Sequence, residues 1–197
     1  MSPIEIVAAL LGIANIALLV RRSVWNFPFG LVMVALYGVV FFRARLYSDA
    51  ILQGYFFVVQ LYGWWNWVHG LNDDGLAHVE MLTTRARGVW LAVTIAISLA
   101  IGWFFATYTN AAAPWIDASI AAMSVVAQYL LSVRKIENWY LWIAADLVAV
   151  PLYLWKGLYP TSALYLVFLA FSVAGYFEWR REVHAQNAMD AIEETLA

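Results

Sequence analysis

The chain has 197 residues, of which 64% are hydrophobic and 12% charged, with a net charge of −2 and no cysteine. Soluble domains average about 45–50% apolar and about 25% charged residues, so a water-soluble fold of this size could not bury so much apolar surface. The composition excludes a soluble domain, disulfides and thiolate metal sites. The basic residues are spread over short segments and form no patch for nucleic acid.

Seven apolar runs follow one another along the chain, each close to the roughly 20 residues that a helix needs to cross a bilayer. Tryptophans crowd many of their ends, as expected at the membrane interface. We predict an all-α integral membrane protein with seven transmembrane helices. The runs are Ile4–Val20, Trp25–Phe42, Asp49–Trp67, Val89–Tyr108, Trp115–Ser132, Asn138–Trp155 and Thr161–Trp179.

Basic residues predict the orientation, because cytoplasmic loops carry an excess of lysine and arginine. With seven spans the connecting segments alternate between two sides, and eight basic residues lie on one side against three on the other. We expect the first side to be cytoplasmic, with the N-terminus outside and residues 182–197 forming a short helical or frayed cytoplasmic tail. The eight are Arg21, Arg22, Arg85, Arg87, Arg134, Lys135, Arg180 and Arg181, and the three are Arg43, Arg45 and Lys156.

The chain also contains an internal repeat. An offset of 112 residues aligns the first three helices with the last three without a gap. Matches between apolar helices carry little weight, since membrane helices resemble one another, but matches in the loops are harder to obtain by chance. The identities are Leu18/Leu130, Leu19/Leu131, Arg22/Arg134, Asn26/Asn138, Leu46/Leu158, Tyr47/Tyr159, Leu52/Leu164, Phe56/Phe168, Gly63/Gly175 and Trp67/Trp179.

We therefore predict one transporter domain over residues 1–181. Repeat one (4–67) and repeat two (115–179) are joined by a linker helix (89–108), which gives both repeats the same direction in the membrane. Parallel repeats of this kind are a transporter architecture, with the substrate site at the repeat interface.

Polar side chains inside the spans are candidate functional residues, because lipid penalises them. Asp146 lies near the middle of the sixth helix, and Trp139, Trp142 and Tyr153 share its helical face. An acid beside two indoles suits a flat organic cation. The alternative is a protonated aspartate, or one that bonds to a neighbouring helix.

Amide side chains form a second candidate set, since an amide both donates and accepts hydrogen bonds. Two glutamines and two tryptophans share one face of the third helix, and further amides lie in the first, fifth and sixth helices. Interhelical hydrogen bonding is the alternative role for each amide, and the asparagines at the helix starts could serve only as N-caps. The residues are Gln53, Gln60, Trp64 and Trp67, then Asn15, Asn26, Gln128 and Asn138.

Several stretches resemble the PnuC vitamin transporters, and the similarity extends over nearly the whole chain, from Ile4 to Arg181. The resemblance implies a three-plus-one-plus-three helix fold related to the SWEET proteins. It also adds Tyr165 to the predicted substrate-binding residues. The stretches are 60–67, 127–131, 135–146, 152–159, 163–168 and 175–179.

The same resemblance implies the function. It predicts uptake of nicotinamide riboside across the bacterial inner membrane by facilitated diffusion, with thiamine and riboflavin as alternatives, and trapping by a cytoplasmic kinase. It implies a homo-oligomer, such as a trimer, and no cofactor. Nicotinamide riboside and thiamine are cations that suit an ionised Asp146, whereas riboflavin is neutral and fits such a site less well.

Three other classes of membrane protein compete with this interpretation. A retinal protein needs a lysine inside its last helix, but Thr161–Trp179 has none and Lys156 lies at a helix boundary. A passive channel would not bind a vitamin tightly, and an intramembrane enzyme would need a paired nucleophile and base. We rank all three below a transporter.

Overall fold

The computed structural model describes residues 3–71, 75–110 and 112–196. Residues 1, 2, 72–74, 111 and 197, which the predicted domain and tail include, lie outside the described residues. The described residues form seven α-helices, in agreement with the predicted all-α class. The helices are α1 (Pro3–Val20), α2 (Asn26–Arg43), α3 (Tyr47–Val68), α4 (Thr84–Tyr108), α5 (Pro114–Ser132), α6 (Asn138–Trp155) and α7 (Tyr159–Leu196).

Four of the described helices are long and apolar enough to cross a membrane by themselves: α2, α4, α5 and the part of α7 that covers Tyr159–Gln186. In α1 the stretch Ile6–Val20 is apolar but shorter. The other two helices are α3, which carries Gln53 and Gln60 of the predicted site, and α6, which carries Asp146. A functional site in a membrane protein lowers the hydropathy of the helices that build it.

The chain divides into two compact units. The N-terminal unit comprises Met1–His78 and Leu131–Arg134, and in it α1 packs on α2 and α2 on α3. The C-terminal unit comprises Val79–Leu130 and Lys135–Ala197, and in it α6 packs on α7. A buried apolar cluster of the C-terminal unit joins α5 to α6 through Ile120, Ala145, Ala149 and Leu152.

The turns that follow the first helix of each repeat have the same backbone geometry. Arg22 and Arg134 adopt left-handed φ angles of 57° and 59°. In both turns the arginine N–H bonds to the carbonyl three residues back, and the next N–H bonds five residues back. This is the Schellman arrangement that terminates a helix. A second pair of such turns follows at Arg45 and Gly157, with φ of 59° and 73°.

One helix contact also recurs. In the N-terminal unit Phe27 meets Trp67 edge to face, with ring centroids 5.2 Å apart, and in the C-terminal unit Trp139 meets Trp179 at 5.4 Å. The two pairs are related by the same offset of 112 residues. Together with the paired turns they support the predicted repeat.

A glycine makes each of these contacts possible. A Cβ atom on Gly63 would lie 2.8 Å from Cε1 of Phe27, and one on Gly175 would lie 2.7 Å from Cε2 of Trp139. Real Cβ atoms essentially never approach so closely. The glycine of each Gly-x-x-x-Trp sequence therefore lets an aromatic ring pack directly against the helix.

Two boundary predictions were wrong. The last helix does not end at Trp179 but continues as α7 to Leu196, because the segment after Trp179 contains no glycine or proline to stop it. The linker helix begins at Thr84 rather than Val89. Thr83 caps its first turn by accepting a hydrogen bond from the Ala86 N–H at 3.3 Å.

Asn26 and Asn138 are not N-caps. Each is the first residue of its helix, after Trp25 and Glu137. Their side-chain amides donate instead, to the carbonyls of Ser23 and Lys135, both at 2.7 Å. The same two carbonyls also accept the backbone N–H groups of Asn26 and Asn138, at 3.1 Å each, so each asparagine makes two hydrogen bonds to the preceding turn.

Candidate functional site

The predicted site residues fall in both units, and each unit is described separately. Three lie in the N-terminal unit and seven in the C-terminal unit. The first three are Gln53, Gln60 and Trp64, and the other seven are Gln128, Asn138, Trp139, Trp142, Asp146, Tyr153 and Tyr165.

Gln60 is the buried polar residue of α3, with 5% of its surface exposed. Its amide lies over Gly30 of α2, where an added Cβ atom would collide with the Oε1 atom. The same position is 2.7 Å from Nδ2 of Asn15, which donates to the carbonyl of Asn26 at 2.7 Å. Glycine at position 30 therefore makes room for two amides from α1 and α3.

The tryptophans of the α3 face have different environments. Trp67 is fully buried, and its indole N–H donates to the carbonyl of Leu131 at 3.0 Å. Trp64 is 36% exposed. Gln53 is half-buried and lines a groove between α2 and α3. The geometry thus makes Trp67 a packing residue and leaves Trp64 accessible.

The start of α6 holds two buried polar atoms that have no partner among the described residues. They are Oδ1 of Asn138 and Nε1 of Trp139, and both side chains are fully buried. The ring of Trp139 is fixed between Trp179 and Gly175 of α7. Buried polar groups are normally hydrogen-bonded, and an exception calls for an explanation such as a ligand.

Asp146 lies two turns further along α6 and is 3% exposed. Its carboxylate accepts a hydrogen bond from Oγ of Ser172 on α7 at 3.2 Å. Within the described part of the chain, no basic side chain pairs with it. Trp142, one turn before it, is half-buried. The acid therefore sits in an apolar environment with one neutral donor.

Tyr153 and Tyr165 form a contact at the other end of α6, with ring centroids 5.1 Å apart. The ammonium group of Lys156 lies 5.9 Å above the Tyr153 ring. It also bonds both carboxylate oxygens of Asp117, at 2.8 and 2.9 Å. This end of the C-terminal unit is therefore closed by an ion pair next to two phenols.

Sequence reasoning missed Ser172 and the Asp117–Lys156 ion pair. Ser172 holds the position in repeat two that Gln60 holds in repeat one, at the offset of 112 residues. The alignment of the repeats could have drawn attention to it, because each of these residues is a buried polar group of the repeat's third helix. The ion pair joins helix ends distant in sequence, and no local pattern indicates it.

Comparisons with known proteins identify a family and several relatives of this chain. Residues 2–181 match the family described as Nicotinamide mononucleotide transporter. The chain is 26% identical to the nicotinamide riboside transporter PnuC of Escherichia coli, over 91% of this chain and 85% of that protein. It is 30% identical to the nicotinamide riboside transporter PnuC of Neisseria mucosa, over 90% of this chain and 72% of that one.

Two further proteins are similar to this chain, one in sequence and one in both sequence and structure. The riboflavin/roseoflavin transporter RibM of Streptomyces davaonensis is 32% identical, over 89% of this chain and 83% of its own length. A crystal structure of the vitamin B3 transporter PnuC superimposes with a TM-score of 0.76 at 26% identity, over 91% of this chain and 81% of that chain. This chain therefore belongs to the nicotinamide mononucleotide transporter family, that of the PnuC membrane transporters.

Proposed function

We propose that this transporter takes up nicotinamide riboside by facilitated diffusion, with a cytoplasmic kinase trapping the product by phosphorylation. Three relatives of different bacteria are named nicotinamide riboside transporters. The chain offers side chains of suitable chemistry: amides, indoles and the buried acid Asp146 on largely apolar helices.

The unpartnered atoms of Asn138 and Trp139 carry this proposal. An acceptor and a donor on adjacent residues, both free of other bonds among the described residues, can bind a ligand amide or a ribose hydroxyl. Leaving them unsatisfied costs about 1–3 kcal/mol each, which a bound substrate would recover. Gln60 and Gln128, both buried, are proposed as further polar contacts.

Asp146 supports a cationic substrate. An acid that is 3% exposed and paired only with a serine hydroxyl gains a counter-ion when a pyridinium enters. The half-buried indole of Trp142 adds an aromatic face that attracts the same cation. The thiazolium of thiamine would satisfy the same requirements, so thiamine is the alternative within this class.

Riboflavin is a second candidate. RibM shares 32% of its residues with this chain, slightly more than the two PnuC proteins compared above. The isoalloxazine ring of riboflavin is neutral, however, and offers Asp146 no positive charge. The acid therefore favours nicotinamide riboside over riboflavin.

Contacts between loops support a path with seven crossings. The guanidinium of Arg22 and that of Arg134 donate to the carbonyls of Ala77 and Gly70, at 3.3 and 2.8 Å. The turns after α1 and after α5 therefore both reach the α3–α4 loop. At the other ends of the helices, the start of α5 and the end of α6 meet through Lys156.

The loops after α1, α3 and α5 lie on the same side of a membrane when every helix between them crosses it. We propose that the side with Arg22 and Arg134 is cytoplasmic in the bacterial inner membrane. On that side the extension of α7 beyond Trp179 would form the predicted tail. We further propose that the protein assembles as a homo-oligomer, such as a trimer.

Calorimetric titration of the purified protein tests the substrate. Nicotinamide riboside, the substrate in the names of three relatives, should bind most tightly. Neutral riboflavin should bind more weakly than either cation. The same titrations followed by tryptophan emission should show quenching, since the site contains Trp139 and Trp142. Tight riboflavin binding with no detectable binding of nicotinamide riboside would contradict the proposal and favour the RibM activity.

A further inference from the structure

An apolar groove runs between α2 and α3 in the N-terminal unit and has a volume of about 590 Å³. Valine, alanine, glycine and phenylalanine form most of its lining, and two polar side chains, Arg43 and Gln53, complete it. Phe57 and Val58 on its wall are 38% and 64% exposed. The groove is thus open along its side.

Two glycines keep the groove open. A Cβ atom on Gly54 would meet nothing within 4 Å, and one on Gly38 would make only an ordinary contact with Cβ of Gln53 at 3.6 Å. Neither glycine is required by close helix packing, unlike Gly63 of the same unit. Larger side chains at these positions would fill the groove without displacing either helix.

The groove is polarised along its length. Arg43, the last residue of α2, lies at one end, and Val34 lies at the other. At 1.5 Å per residue this stretch of α2 spans about 13–14 Å, close to the roughly 15 Å of one leaflet of the hydrocarbon core. Its occupant should therefore be a long apolar chain that carries an anion at one end.

We propose that this groove retains one glycerophospholipid, with an acyl chain between α2 and α3 and its phosphate on Arg43. The guanidinium binds phosphate oxygens in a fixed planar geometry, and its exposed position at the helix end places it at the headgroup level. The amide of Gln53, beside Gly38, can donate to an ester oxygen. The positive charge of Arg43 at one end of the groove, and a groove length close to one leaflet, together favour a phospholipid over a wholly apolar partner.

Native mass spectrometry of the full chain tests this proposal. The protein is purified in dodecyl maltoside, delipidated and mixed with phosphatidylglycerol at a fixed ratio. Gly54→Leu fills the groove, and Arg43→Gln removes the cation. The matched controls are Gly88→Leu on α4, where an added Cβ also meets nothing within 4 Å, and Arg45→Gln, which does not line the groove.

The wild-type protein and both controls should carry one bound lipid per chain. Arg43→Gln should weaken lipid binding about fivefold, as read from the lipid-bound fraction at subsaturating lipid, which is the effect expected for one basic residue near a lipid phosphate. Gly54→Leu should weaken it by at least as much. Equal lipid binding in all proteins would overturn the proposal. So would a Gly54→Leu protein that keeps its lipid but assembles with a different number of chains, because a second copy would then cover the groove.

Discussion

Asp146 is the single residue on which the proposed preference for a cationic substrate depends. It is 3% exposed and has Ser172 as its partner. Asp146→Asn keeps the shape and the capacity to accept from Ser172 but removes the negative charge.

We expect this variant to bind nicotinamide riboside at least about tenfold more weakly, equivalent to about 1.4 kcal/mol, as measured by calorimetry. Its affinity for neutral riboflavin should change little. Asp117→Asn is a matched control, because that acid already has Lys156 as its partner. Unchanged affinity for nicotinamide riboside would remove Asp146 from the substrate site.

Gly63 and Gly175 support a second prediction at this scale, since each lies beneath an aromatic ring. Alanine at either position should lower the free energy of unfolding by about 1–3 kcal/mol, the usual cost of overpacking. Thermal unfolding of the detergent-solubilised protein measures the change. Gly88→Ala, with open space around its Cβ position, is the control and should be at least as stable as the wild type. Stability equal to Gly88→Ala at both sites would show that the rings can move aside.

The turns that connect the second and third helices of each repeat can be tested as single elements. Arg45 and Gly157 are equivalent in the two repeats and both have left-handed φ angles. Because glycine adopts this region without the penalty of a side chain, Arg45→Gly should stabilise the protein and Gly157→Ala should destabilise it. Each change should be about 1 kcal/mol, seen as opposite shifts in melting temperature. Shifts of the same sign would mean that the equivalent turns differ in solution.

Helix number and type follow directly from sequence, because lipid requires long apolar segments with internally satisfied backbones. The polar end of α7 is less predictable. After Trp179 the sequence is rich in good helix formers, but no apolar requirement forces a helix there. The donor role of Asn138 also escaped prediction, since it depends on the turn that exposes the Lys135 carbonyl.

The sequence indicated which residues are candidates for the site, but it did not indicate which residues they contact. Asp146, Gln60 and Gln128 stand out in sequence because polar groups are rare in apolar helices, and all three are buried. The bond from Ser172 to Asp146 joins two helices. Periodicity along one helix reveals a face but not the residue opposite it.

Orientation is a property of the whole molecule, and the absence of cysteine makes it easy to measure. Leu46→Cys lies in the α2–α3 turn, and His184→Cys lies beyond Trp179 on α7; both positions are exposed. An impermeant maleimide should label Leu46→Cys on intact cells and His184→Cys only after permeabilisation. The reverse pattern would place the C-terminus outside.

Counterflow in proteoliposomes tests the transport claim most directly. Liposomes that contain the purified protein are loaded with unlabelled nicotinamide riboside and diluted into a trace of labelled compound, without nucleotide or an ion gradient. We predict that the label accumulates transiently above its equilibrium level, because a carrier exchanges substrate across the membrane and a simple pore does not. Uptake no faster than in protein-free liposomes, for nicotinamide riboside, thiamine and riboflavin alike, would contradict the account.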